Sequence, residues 1–429
     1  MRQAIETLLE SIDSDQYLKY AYNQKCETPV YYSGPVWDKE ELIAAISSLV
    51  GGLWLASGEQ VSKFEKRFSK DIGLDHSLMV NSGSSANLVL LAAAKTYYDW
   101  DDDAEIIVSV VGFPTTIAPI VQNNLKVKFV DIEMDSLNFD LSDVEDAIND
   151  KTKAVFLSPV LGNPVDMDKL TDLCRSKGIR LLLDGCDSLG TEWKGKPLYE
   201  YSDAATCSFY PAHHITTGEG GMVSSNDAEF IKIARSIAWW GRACYCVGSC
   251  NLLKNGVCGK RFFKWLDNYD GVVDHKYVFT NMGYNLKPLD LQGAIGLVQL
   301  DKAPTLHKKR RENKARIEKL LHKYIKGIHI PDELSDANTS WFGVPVVCKN
   351  KELKHKLIPF FEANSIQTRN YFAGNILLHP AYEHLDDYDK YPNANQVLDK
   401  VFFLGTSPSY REGTFRYIED VLETWQNLE

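Results

Sequence analysis

The chain of 429 residues has room for a large domain and a smaller one, because single hydrophobic cores tend to split beyond roughly 250–300 residues. With 44% hydrophobic, 24% charged and 11% aromatic residues it has an ordinary globular composition, and its net charge of −11 argues against binding built on nucleic-acid phosphates. No apolar run reaches the roughly 18 residues of a bilayer span, so a cytoplasmic protein with neither nucleic-acid nor membrane partners is expected.

In chain order, the first segment, MRQAIETLLESIDSDQYLKY, places acids within an apolar periodicity and lacks an h-region or cleavage site, so it predicts an amphipathic helix within an N-terminal segment 1–34. From about 75 to 225 short apolar runs (SLMV, EIIVSV, KVKFVDI, KAVFLS, RLLLD, GMVSS) alternate with helical stretches such as SANLVLLAAAKTYY. Continuous apolarity of this kind predicts strands buried on both faces of a mostly parallel sheet, an α/β architecture. Ligands in such sheets bind at the carboxyl ends of the strands. This large domain is placed at 35–300, with a cysteine-rich insert at about 240–275. A linker helix, APTLHKKRRENKARIEKLLHKY, follows, and its basic run is read as a solvated face. SWFGVPVVC and KELKHKLIPFFEANS then predict a smaller C-terminal domain within 301–429.

Several stretches carry possible chemistry. VNSGSSAN follows a strand and opens a helix, so Gly83, Ser84 and Ser85 are candidates to hold a phosphate, or merely to cap the helix. Phe113, in VVGFPTT, either stacks on an aromatic cofactor or fills core. Asp184 ends the RLLLD strand, where a carboxylate serves a ligand nitrogen or caps a helix. SFYPAHHITTGEGG, residues 208–221, adds the Ser208 hydroxyl and two adjacent histidines, His213 and His214. Nine cysteines in such a chain are thiols or metal ligands rather than a disulfide framework.

The order of these pieces, ending in GYNLKPLDLQGAIGLVQL, resembles the DegT/DnrJ/EryC1/StrS family of nucleotide-sugar aminotransferases and dehydratases from about residue 35 to the C-terminus. The resemblance implies a fold type I, aspartate aminotransferase-like enzyme of pyridoxal phosphate chemistry. It assigns the cofactor phosphate to Gly83, Ser84 and Ser208, the ring stack to Phe113, the pyridine nitrogen to Asp184 and the acid–base role to His213. Asn285, in GYNLK, would reach the cofactor phosphate of a neighbouring subunit, which implies a homodimer.

Where the aminotransferases of this family carry a lysine, His213 keeps the proton chemistry and loses the covalent anchor. The expected cofactor is therefore pyridoxamine phosphate held without a covalent bond, and the expected reaction is dehydration at C3 of a nucleotide-linked 4-keto-6-deoxyhexose. His214 is read as structural.

The spacing Cys186-x57-Cys244-x-Cys246-x11-Cys258 suits a [2Fe–2S] cluster, with free thiols or a zinc site as the other readings. It resembles the iron–sulfur branch of the family, which acts on a CDP-linked sugar in 3,6-dideoxyhexose synthesis. That branch implies electrons from a separate NAD(P)H-dependent flavin or iron–sulfur reductase, and no G-x-G-x-x-G fingerprint places one in this chain. The loop NLLKNGV makes Cys250 a rival ligand, and Cys26, Cys174, Cys207 and Cys348 are read as core residues. Two alternatives stand beside this reading: a cluster-free 3-dehydratase that rebuilds its cofactor from glutamate, and a non-catalytic cofactor-binding regulator.

Overall fold

The apolar runs form strands because each can bury both of its faces. In the computed structural model, which describes residues 2–12, 29–52, 54–244 and 258–428, one sheet contains β1 (His76–Val80), β2 (Glu105–Ser109), β3 (Lys126–Val130) and β4 (Thr152–Leu157). It also contains β5 (Arg180–Asp184), β6 (Ala204–Ser208) and β7 (Gly221–Ser225), in the order β1-β7-β6-β5-β4-β2-β3. β7 runs antiparallel to β1 and β6, and all other pairings are parallel. Alternate residues feed two cores, one on each face. Leu78, Ile106, Phe156 and Leu182 enter the first, while Met79, Ile107, Val155 and Leu183 enter the second.

The sequence reading did not foresee β6. Its residues, AATCS, are mostly small and carry little strand propensity, so its place is set by the ladders to β5 and β7 rather than by local preference.

Helices α1 (Arg2–Glu10) and α2 (Lys39–Gly51) pack together through Ile5, Leu9 and Ile43, and α3 (Glu59–Asp71) covers the second core. The first core is covered by α4 (Gly83–Tyr97), α5 (Pro114–Gln122) and α6 (Ala228–Ala238). The long helix α7 (Asp290–Tyr324) runs unbroken through position 300. Leu300, Ala303 and Leu306 join the second core, and Ile317, Leu321 and Tyr324 join a separate C-terminal core. That core lies against an antiparallel sheet of β8 (Ile328–His329), β9 (Gly343–Cys348), β10 (Thr368–Asn370) and β11 (Val401–Gly405), ordered β8-β9-β11-β10.

The basic run of α7 presents Lys308, Lys309, Arg316 and Lys319 to solvent as expected, but not every cation in it is solvated. Arg310 and Lys314 are buried, because a helix packed on both domains must turn some position of every turn inward, whatever residue stands there. Cys174, Cys207 and Cys348 are buried as expected, whereas Cys26 lies outside the described residues. No helix among the described residues is long and apolar enough to cross a membrane.

Candidate active site

The carboxyl ends of β5 and β6 and the start of α4 meet at one end of the sheet. A cavity of about 590 Å³ opens there, lined by Gly83, Ser84, Phe113, Asp184, Cys186, Ser208 and His213. The structure thus brings together most residues singled out from sequence.

Ser82 caps α4 by accepting a hydrogen bond from the Ser85 amide at 3.1 Å, and its hydroxyl donates to Ser85 Oγ at 3.0 Å. Ser85 is therefore engaged in the cap. The amides of Gly83 and Ser84 belong to the first turn, which has no intrahelical acceptors, and they suit an anion. A methyl group on Gly83 would stand 2.5 Å from Ser208 Cβ and 2.8 Å from Ser208 Oγ, so only glycine lets the helix start reach the end of β6. Gly83→Ala is accordingly expected to weaken pyridoxal phosphate binding by at least about tenfold, the loss of roughly one charge-assisted hydrogen bond. Fluorescence titration with the cofactor measures this, and an unchanged affinity would detach Gly83 from the phosphate site.

Asp184 is buried at the end of β5. Its Oδ2 accepts from Asn87 Nδ2 at 2.8 Å and from Thr116 Oγ1 at 2.7 Å, and its Oδ1 from the Cys186 amide at 3.3 Å. Asn87 is itself oriented by Thr206, whose hydroxyl donates to Asn87 Oδ1 at 2.6 Å. The sequence reading missed these supporting residues, although Asn87 lies one helical turn beyond Gly83 on the same face. Phe113 is 52% exposed, which excludes the core-filling reading, and its ring meets Phe372 edge-on across the cavity.

His213 lies in a turn after β6, its amide donating to the Tyr210 carbonyl at 3.0 Å. Its enclosed Nδ1 is 3.4 Å from Asp187 Oδ1 and has no hydrogen-bond partner. Burial, then the nearby Arg310 charge, pushes the imidazole pKa down to about 3, leaving it neutral at neutral pH. Burial and the Asp184 charge push the Asp187 carboxyl up to about 7. Asp187 was not singled out from sequence, where nothing marks it apart from Asp184 three positions earlier.

His214 is structural, its Nε2 meeting the Ser340 carbonyl at 2.5 Å, and His307 Nδ1 lies 3.0 Å from Ser340 Oγ. Burial and Arg310 hold His214 well below its usual range, and burial with Arg310 and Arg311 puts His307 at about 3. These depressed values imply acid lability. Between pH 6.5 and 3 the unfolded chain protonates His213 and His307 while the folded chain does not, and the depressed His214 adds in the same direction, so stability is lost as pH falls through that window. Asp187 acts oppositely from pH 7 down to its unfolded value, since the folded form binds its proton first. Three groups outweigh one. Urea midpoints should therefore drop between pH 6.5 and 5, and His307→Gln should flatten the slope; pH-independent midpoints would contradict it.

Asn285 is exposed, outside the cavity of its own chain, and its Oδ1 accepts from Lys287 Nζ at 2.5 Å. Cys186 lines the cavity, and burial and Asp184 push its thiol pKa well up. Cys244 and Cys258 are half-buried, and Cys246 and Cys250 lie outside the described residues. Among the described residues no three His, Cys, Asp or Glu side chains are grouped to hold a metal ion.

A helix start suited to an anion, a buried carboxylate fixed by three donors and an aromatic ring lining the same cavity fit pyridoxal phosphate, and with this sheet they define a fold type I enzyme of that cofactor class. The profile of the DegT/DnrJ/EryC1/StrS aminotransferase family matches residues 36–423, and the chain belongs to that family. It is 35% identical over 399 residues to the dTDP-4-dehydro-2,6-dideoxy-D-glucose 3-dehydratase of Saccharopolyspora spinosa, covering 91% of this chain and 85% of that protein. It is 34% identical over 405 residues to the lipopolysaccharide biosynthesis protein RfbH of Salmonella typhimurium, covering 92% and 91%. Among solved structures, E. coli GDP-4-keto-6-deoxy-D-mannose-3-dehydratase with bound hydrated PLP superposes with a TM-score of 0.79 at 30% identity, covering 92% of this chain and 99% of that one.

Proposed function

We propose that the protein is a nucleotide-sugar 3-dehydrase that uses pyridoxamine phosphate to remove the C3 hydroxyl of a 4-keto-6-deoxyhexose. The observation that carries this is His213, neutral and lining the same cavity as Asp184, Gly83, Ser84 and Ser208, at the position where the family's aminotransferases have lysine. Two relatives named for 3-dehydration of 4-keto sugars support it. Bound cofactor supplies an amine for the sugar ketone and a ring that accepts electrons. Gly83, Ser84 and Ser208 hold its phosphate, Asp184 its ring nitrogen and Phe113 its face. His213 takes a proton on its imidazole and returns one to the departing hydroxyl.

The finer reading adds a [2Fe–2S] cluster on Cys186, Cys244, Cys246 and Cys258, a CDP-linked substrate, and a separate NAD(P)H-dependent flavin or iron–sulfur reductase. Its support is the cysteine spacing, and the described residues alone assemble no such ligand set. A homodimer belongs to the same reading: Asn285 is exposed beside Met282 and Tyr284, an apolar surface suited to a second copy.

Two experiments test the proposal. His213→Lys loaded with pyridoxal phosphate should gain a covalent link and its visible absorbance band; bound cofactor without that band would mean that residue 213 does not face it. Anaerobic purification with iron and sulfide assays should give two irons per chain, with net product only when reductase and NADH are supplied. Repeated turnover with glutamate alone, without iron, would establish the cluster-free alternative instead.

A further inference from the structure

Helix α7 carries a guanidinium at the centre of the molecule. Arg310 is 1% exposed, and its described hydrogen bonds all go to neutral oxygens. Nη1 donates to the Phe342 carbonyl and to Thr406 Oγ1, each at 3.3 Å, and Nη2 donates to the carbonyl of His213 at 3.1 Å, while Nε has no partner. A charge buried with incomplete satisfaction is costly, and an apolar side chain would often pack as well or better. Stability alone is therefore a poor account of it.

The partners give another account. Phe342 immediately precedes β9 of the C-terminal sheet, Thr406 follows its strand β11, and His213 stands in the turn after β6 of the large domain. The Phe342 ring also lies 5.3 Å from the His213 ring, centroid to centroid. One guanidinium thus holds the backbone of His213 and the backbone of the residue whose ring abuts its imidazole. Gln299, three turns earlier on the same face of α7, accepts a hydrogen bond from the Thr216 amide at 3.1 Å, so this helix grips the turn at two points.

We propose that Arg310 is a positioning residue for His213, fixing the turn against the C-terminal domain so that the imidazole keeps its place at the cavity. This rests on the reading of His213 as the acid–base group.

The test uses the His213→Lys chain and pyridoxal phosphate, which joins the lysine amine as an imine with loss of water and so reports the position of side chain 213 without the sugar substrate. Adding Arg310→Lys, which keeps the charge but cannot span all three acceptors, should slow appearance of the visible band at least about tenfold, as small misplacements do in covalent steps. Cofactor affinity, read by fluorescence, should stay unchanged. Asn313→Ala is the control for mere packing: Asn313 Nδ2 donates to the Thr406 and Ser407 carbonyls at 3.4 and 2.8 Å but makes no hydrogen bond to the His213 turn. It should lower the melting temperature and leave the band's rate alone. An undiminished rate with Arg310→Lys, or an equal slowing with Asn313→Ala, overturns the proposal. If His213→Lys alone binds cofactor and gives no band, the reading of His213 itself fails, and the proposal with it.

Discussion

His213→Asn is expected to lower turnover of a nucleotide-linked 4-keto-6-deoxyhexose by about 10²–10⁴-fold, the usual weight of a general acid–base group, while the cofactor stays bound. Asparagine nearly matches the imidazole in size and fits the same turn, but its amide cannot take up a proton. The proposed phosphate-binding groups are separate from it: Gly83 and Ser84 begin α4, and Ser208 ends β6. Burial keeps the imidazole in the proton-accepting form at neutral pH, so the loss should be in kcat rather than in cofactor content. Turnover assays together with cofactor quantification by absorbance check this. Near-normal turnover would remove His213 from the acid–base role.

What could be read from the sequence was whatever is contiguous. The proposed phosphate cradle lies within VNSGSSAN, and the buried carboxylate of Asp184 ends an apolar run, so short windows single out both. The opposite wall of the cavity was illegible because Tyr32, Phe342, Arg369, Phe372 and Phe403 come from four distant segments that only the packing of the C-terminal sheet unites. Arg310 was misread for a related reason. In HKKRRENK it is one cation among several, and only the two-sided burial of α7 separates it from Lys308 and Lys309 beside it, which remain exposed. Asp187 was missed because it belongs to no motif, and Thr116 because only Phe113 stands out in VVGFPTT; their meaning comes from geometry at Asp184 and His213.

Asp184→Asn is expected to cost roughly 10²–10³-fold in turnover, comparable to losing a preorganised electrostatic partner in other sites. A carboxylate keeps a ring nitrogen protonated, and the protonated ring draws electrons from the reacting carbon; a carboxamide can do neither. The surrounding network also prevents the substitution from adjusting. Asn87 Nδ2 and Thr116 Oγ1 both donate to Oδ2, so an amide must turn its oxygen to them and its NH2 to the place of Oδ1. There it would oppose the Cys186 amide, which now donates to Oδ1. Asn87 cannot reverse to relieve this, since Thr206 donates to its oxygen and its nitrogen also donates to the Thr115 carbonyl at 3.0 Å. Thr116→Val, which removes one donor and keeps the carboxylate, should cost less, about tenfold, the low end for one hydrogen bond to a charged group. Comparing kcat of the two variants, with cofactor absorption to follow the ring's protonation, separates charge from packing. If both lose activity equally, or Asp184→Asn retains it, Asp184 does not face the ring nitrogen, and the site's electrostatic logic must begin from Asp187 instead.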